Sequence, residues 1–425
     1  MTWLQRYRLR HYITNSIWIL PFVSMLVAML AIRVLFCIDV NQGWESPIQA
    51  DTARAVLGTL ASSMFTFIVF VSSALLVAVQ LASAQLTPRI IAFVFRSPVT
   101  RFSLSLFVFT FTFSVAALIR ITDFVPSLSV RVAAYACVVS LGAFLFLIDH
   151  VGKSLRPSGA LRNVATLGRA AIQSVYPHQL VDEQDVVTPE SKALLDEEPT
   201  QEVANPKDGV VLAFDCAGLA ALAERCDCVI ELIPQVGDHI AAGDPLIRVY
   251  GGRSTVPERL LGQSVAVGME RTMEQDPTFA FRIMVDIASK GLSPAINDPT
   301  TAVLALNQIH HLLRYVGTRN LDHGLVHDAK DRLRLVYRTP DWEDFVRVAV
   351  TEIRHFGGLS IQIARRLRAM LENLIQNLPP TRTELLRQEL KLLHRSAERF
   401  FSEPEDRAFA EMSDAQGVGG KCSRF

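Results

Sequence analysis

Most of the sequence marks of known enzyme chemistry are missing from this chain. It has no Walker loop, no glycine-rich dinucleotide turn after a strand, no Gly-x-Ser-x-Gly elbow and no His-Glu-x-x-His pair. His310 and His311 are adjacent on a helical stretch, so their side chains point about 100° apart and make poor joint metal ligands. Cysteine is scarce, at six residues. Cys226-Asp227-Cys228 lacks the two-residue gap of a zinc knuckle and no second pair answers it, so the thiols read as reduced cysteines of a cytoplasmic compartment. No cofactor or metal is called for. Net charge is also absent, 42 basic side chains balancing 42 acidic ones. Without a basic stripe interleaved with aromatics there is no footprint for nucleic acid.

What the chain has instead is apolar length. Four stretches reach or approach the ~20 residues that a spanning helix needs: Ser16 to Ile38, Val56 to Leu81, Phe102 to Ile119 and Val132 to Ile148. The first carries a single charge, Arg33, suited to snorkelling or to an ion path. No small-x-small cleavage site follows it, so a retained anchor is expected rather than a signal peptide. Basic residues cluster on one set of flanks: Arg6, Arg8 and Arg10, then Arg89, Arg96 and Arg101, then Lys153, Arg156, Arg162 and Arg169. The opposite loops hold Asp39, Glu45, Asp51 and Asp123 with fewer bases. By the positive-inside rule both termini lie in the cytoplasm.

The second stretch carries a polar line. Thr59, Thr66, Ser73 and Gln80 recur every seven residues, flanked by Ser62, Ser63 and Ser83. Such a repeat stays on one helical face. It is either a close-packing surface for another helix or the lining of a permeation path. Ser103, Thr110 and Ser114 form a shorter line that would face it.

The expected architecture is an α-helical integral membrane domain over residues 1–150 joined to a cytoplasmic α+β domain. A connecting helix and acidic linker occupy 151–208, a β-rich subdomain 209–268, a helical subdomain 269–405 and a disordered tail 406–425. A short apolar segment opened by Thr87-Pro88 lies at the membrane surface, Arg89 to Phe95. Within 209–268, two Gly-Asp turns, at Gly237 and Gly243, predict a tight hairpin layer similar to half of a barrel-sandwich hybrid. No lysine stands at a hairpin tip, which excludes lipoyl or biotin attachment. Further on, Asp276-Pro277, Ser293-Pro294 and Asp298-Pro299 each place a capping oxygen before a proline suited to a first helical turn, and Thr339-Pro340 opens a later helix. Helix starts that converge make Glu270, Arg271, Asp276, Ser293, Asn297 and Asp298 a candidate cytoplasmic site, either an anion or sensing site or simply a capped, salt-bridged junction.

The strings Glu270 to Pro277, Val285-Asp286-Ile287-Ala288 and Leu292 to Ala302, with Leu81-Ala82-Ser83 to Pro88-Arg89, resemble the signature of a bacterial family of predicted membrane proteins, the domain of unknown function numbered 2254. The resemblance implies a bacterial inner-membrane location and the four-helix layout, and brings no catalytic or ligand residues with it. Two functions remain. One is a homo-oligomeric channel or transporter for a small ion or solute, gated by the cytoplasmic domain. The other is a membrane-anchored scaffold or sensor without transport. An enzyme acting at the candidate junction is the weakest alternative.

Overall fold

The computed structural model describes residues 1–44, 46–90, 97–122, 124–180, 198–252, 255–321 and 324–420. Glu45, Asp123, Arg96, the surface segment from 91 to 95, residues 181–197 of the expected linker and Cys422 lie outside them. Two compact units form: Arg10–Ala160, and Leu161–Phe425 together with Met1–Leu9.

After a first helix α1 (Trp3–Asn15), the Arg10–Ala160 unit is built from α2 (Ile19–Gln42), α3 (Ala50–Gln85), α4 (Pro98–Ile119) and α5 (Ser127–Leu155). All four are long and apolar enough to cross a membrane. At about 1.5 Å per residue even the shortest matches a hydrocarbon core of about 30 Å. Leu30, Phe70, Val138, Leu145 and other large apolar side chains are exposed around the outside, a surface suited to lipid and costly in water. The unit is centred on α4, which packs against α2, α3 and α5. Its inward face alternates bulk and hydroxyl: Thr100, Ser103, Phe107, Thr110, Phe113, Ser114 and Ala117 are all buried. Small hydroxyl residues let helix backbones approach. Thr110 donates to the Leu106 carbonyl at 2.9 Å and lies 2.9 Å from the Ser140 hydroxyl of α5.

One tie in this bundle was not foreseen. Asp39, near the end of α2, is fully buried. It accepts from the backbone N–H groups of Leu128 and Ser129 at 2.8 and 3.0 Å and from the Ser129 hydroxyl at 2.8 Å. Residue Pro126, at the N-cap of α5, has no side chain able to do this, so α2 supplies the cap from outside.

Helix α6 (Pro157–Val175) follows α5 after Arg156 alone, and from Leu161 on it belongs to the second unit. Strands β1 (Gln201–Ala204), β2 (Gly209–Phe214), β3 (Cys228–Leu232), β4 (His239–Ile240), β5 (Pro245–Gly251) and β6 (Val265–Gly268) follow, with α7 (Cys216–Cys226) between β2 and β3 and α8 (Glu258–Gly262) before β6. Then come α9 (Pro277–Gly291), α10 (Pro299–Gly317), β7 (Leu325–His327), β8 (Leu333–Tyr337), α11 (Trp342–Phe356), α12 (Ile361–Asn377), α13 (Thr383–Phe400) and α14 (Pro404–Ala410). The strands form two small sheets, β1-β5-β3-β8-β7 and β4-β2-β6.

The predicted hairpin does not form: β4 pairs with β2, whereas β5 pairs with β1 and β3 in the other sheet. The intervening Gly243-Asp244 turn is held by Asn205, whose amide donates to the Ala241 carbonyl at 2.9 Å and whose backbone exchanges hydrogen bonds with Gly243 and Asp244. The turn therefore carries the chain from one sheet to the other. The larger sheet also reaches beyond 209–268, because β3 runs parallel to β8, with Ile230 opposite Leu335.

Helix α9 is buried on nearly all sides, from Phe279 to Ala288. It packs on α10 and α11, and α12 packs on α10. Asp276 and Asp298 cap α9 and α10, accepting from Phe279 N–H and Thr301 N–H at 3.1 Å each. Ser293-Pro294 opens only a turn, since the Ser293 hydroxyl points back to the Lys290 carbonyl at 2.7 Å. Thr339-Pro340 is likewise displaced as a helix start. Asp341 caps α11, in a reciprocal box with Asp344.

The tail differs most from expectation. Beyond Glu405 the chain completes α14 and continues to Gly420 as a strap attached to α12. Arg365 of α12, with no exposed surface, donates to the carbonyls of Met412, Gly419 and Gly420 at 3.0, 3.0 and 2.8 Å. Its guanidinium lies 4.0 Å from the centre of the Phe409 ring. Asp414 gathers the N–H groups of Gln416, Gly417 and Gly419.

Candidate functional site

The polar line of α3 lies on the outside of its own bundle. Thr59, Ser62, Ser63, Thr66, Ser73 and Gln80 are all exposed, while the opposite face sends Leu57, Ala61, Met64, Val71 and Leu75 inward. Amphipathicity is thus reversed from that of a water-soluble helix, with the polar side turned away from the bundle. Thr59 and Thr66 direct their hydroxyls to the carbonyls of Ala55 and Ser62, at 2.8 and 3.1 Å. Ser103, Thr110 and Ser114 do not face this line. They are buried inside the bundle, and Thr110 meets α5. Arg33 is exposed on α2.

The six residues of the candidate junction fall in two places. Helix α9 has 15 residues, so its ends are about 22 Å apart. At its start, Arg271 pairs with the buried Asp276 and donates to the Thr278 hydroxyl at 3.2 Å, and Thr278 donates to Asp276 at 2.8 Å. Gly237, at φ +99°, lies directly on this pair; a Cβ there would sit 2.5 Å from an Arg271 nitrogen. Glu270 is exposed beside it. At the far end, Ser293, Asn297 and Asp298 shape the α9–α10 turn. Asn297 takes the left-handed conformation at φ 48°, and Thr301 donates to Asp298 at 2.6 Å. Both aspartates are engaged as caps, so helix starts do not converge on a common anion site.

A cleft of about 140 Å³ opens near the first of these places. Its walls come from the last turn of α6, the end of β2, the loop before β4, the α9 cap and the link from β8 to α11. Gln275 fixes one wall by bonding both backbone groups of Phe214, at 3.0 and 3.2 Å. Tyr176 fixes another by donating to the Pro340 carbonyl at 2.7 Å. Cys216 lines the cleft, and burial raises its thiol pKa above the ordinary value, so it stays protonated.

Two charged clusters escaped the sequence reading. Arg334, almost wholly buried, bridges Asp328 and Asp227 at 2.9 and 3.0 Å, and Arg332 joins the same two carboxylates. The Arg332 backbone N–H, with the Arg334 guanidinium, holds the Asp328 carboxyl well below its usual range. The other cluster surrounds His310, which lies 3.0 Å from the Asn373 amide oxygen and 3.3 Å from an Arg366 nitrogen. Burial, then the Arg366 charge, lowers its pKa to about 4. Among the described residues no group of three or more His, Cys, Asp or Glu is placed to hold a metal ion.

Four apolar helices ahead of a unit of helices and small mixed sheets define a predicted membrane protein with a large C-terminal domain. The family model described as Predicted membrane protein (DUF2254) matches residues 14–373, and the chain belongs to that family. Uncharacterised proteins of Mycobacterium tuberculosis (strain H37Rv) and Mycobacterium bovis are each 26% identical to it over 416 residues, covering 93% of this chain and 79% of theirs. No solved structure matches.

Proposed function

We propose that this is a multi-pass inner-membrane protein, with both termini in the cytoplasm, whose copies associate through α3 to form a channel or transporter for a small ion or solute. The soluble unit would gate it. The outward polar face of α3 carries this reading. In hydrocarbon a side-chain amide without a partner costs roughly 2–7 kcal/mol, and Gln80 shares its exposed face with Thr59, Ser62, Ser63, Thr66 and Ser73. A second copy, or water held between copies, relieves that cost. One observation favours the alternative, a scaffold or sensor without transport: the Thr59 and Thr66 hydroxyls are satisfied by their own helix and need no water.

Purified protein in liposomes, loaded with a panel of monovalent and divalent ions and clamped at several potentials, decides between them. Conduction predicts flux that changes selectivity or collapses in Thr66→Trp. Absence of flux across the panel, with insertion verified by protease accessibility, refutes conduction and leaves the scaffold.

A further inference from the structure

We propose that the cleft at the end of α6 is a binding site for a small carboxylate with a compact apolar body. It lies wholly within the soluble unit, so its occupancy does not depend on conduction.

Size sets the first limit. An apolar cavity of about 150 Å³ holds one benzene molecule. At about 140 Å³ this cleft takes one ring, or a branched chain of four or five carbons, with its head group at the mouth. A nucleotide or a sugar phosphate is too large. Val175, Phe214, Val236, Pro277 and Pro340 supply apolar wall, which such a body would cover.

The polar groups set the second limit. Gln275 is committed to the Phe214 backbone, and Asp276 to Arg271, Thr278 and the Phe279 N–H. The other carboxylates close by in sequence are caps: Asp215 for Gly218, Asp238 for Gln235 and Asp341 for Asp344. Three lining residues carry side-chain donors with no hydrogen bond or ion pair among the described residues: Ser174 and Arg338, both exposed at the rim, and the half-buried Gln235. All three donate, and Arg338 is the charge left without a counter-ion. A guanidinium fork fits a carboxylate in a bidentate pair, which ammonium or neutral amide ligands cannot form. Ser174 also places the ligand against the last turn of the helix that follows α5 after one residue, giving occupancy a route to act on the membrane helices.

The test uses the full chain in nanodiscs, with empty nanodiscs as control, and ligand-observed NMR titration of benzoate, butyrate and benzamide. Saturable benzoate or butyrate binding is expected, with benzamide at least about tenfold weaker. Arg338→Gln should weaken the carboxylates by about tenfold or more, and Ser174→Phe, which fills the mouth from an exposed helix position, should abolish binding with the melting temperature unchanged. No saturable carboxylate binding overturns the proposal, as does equal affinity for benzamide or full affinity in Arg338→Gln. If Arg338→Gln fails to fold, the benzoate-to-benzamide ratio of the wild type and the Ser174→Phe variant still decide the matter.

Discussion

Arg365→Met should free the C-terminal strap while leaving the rest of its unit folded. The substitution keeps much of the length and apolar volume of the side chain and removes the charge. Three donated hydrogen bonds to main-chain carbonyls disappear, those to Met412, Gly419 and Gly420. Bonds to a charged group contribute about 1.5–3 kcal/mol each, but a detached strap returns its carbonyls to water, so the loss is limited to the strap's own docking energy. Taking about 3 kcal/mol, the open population rises by roughly 150-fold. Hydrogen exchange read by mass spectrometry reports this directly, because among the described residues the amides of Gln416, Gly417 and Gly419 donate to Asp414 alone. Peptides covering 411–420 should exchange about two orders of magnitude faster in the variant, while α9 peptides keep their wild-type rates. The pH dependence gives a cross-check. Burial would raise the Asp414 pKa, but the Gly419 and Gly417 N–H groups and then the Arg365 charge overcome it and hold the carboxyl low. Protection is thus complete above the usual carboxylate range near pH 4 and falls as the pH drops through the depressed value. Unchanged exchange of the strap in Arg365→Met would refute the argument that the guanidinium holds it.

Two further outcomes are expected. His310 has a folded-state pKa of about 4 against about 6.5 unfolded, so the unfolded chain binds more protons between these values. Stability of the Leu161–Phe425 unit should be full above pH 6.5 and decline by about 1–2 kcal/mol towards pH 4, the ideal linkage being discounted for partial exposure; His310→Gln should flatten that slope in denaturant titrations, and an unaltered slope would count against it. Asp39→Leu removes an acceptor from two backbone N–H groups and one hydroxyl, and should lower bundle stability by about 2–4 kcal/mol in detergent unfolding, with Asp39→Asn intermediate; a loss below about 0.5 kcal/mol would show that the cap contributes nothing there.

The parts of this fold that were legible in the sequence are those set by local chemistry. Long apolar runs mark α2 to α5 because lipid leaves few alternatives. Asp276-Pro277 and Asp298-Pro299 mark two helix starts because a capping carboxylate before proline reads the same in any context. Ser293-Pro294 has the same form but fails, because its hydroxyl finds the Lys290 carbonyl instead. Whatever depends on distant partners was hidden. β3 needs β8, about a hundred residues onward. Asp39 needs Leu128 and Ser129, 89 and 90 residues away. The strap reads as loose because Gly417, Gly419 and Gly420 promise no core, yet Arg365 recognises main-chain carbonyls that every sequence possesses. The candidate junction divides in two because the 15-residue α9 separates Glu270, Arg271 and Asp276 from Ser293, Asn297 and Asp298. The outward orientation of the α3 polar line was also unreadable, since a seven-residue repeat fixes a face without saying what that face meets.

The buried carboxylate that α2 lends to α5 imposes an order on biogenesis. When α2 leaves the ribosome, the N–H groups that will satisfy Asp39 have yet to be synthesised. Until they arrive, this acid must stay hydrated at the lipid boundary, and α2 cannot settle to its final depth. Closure of the bundle is therefore deferred until the last of the four apolar helices inserts, which makes that insertion the step at which a nascent copy becomes committed to its mature shape.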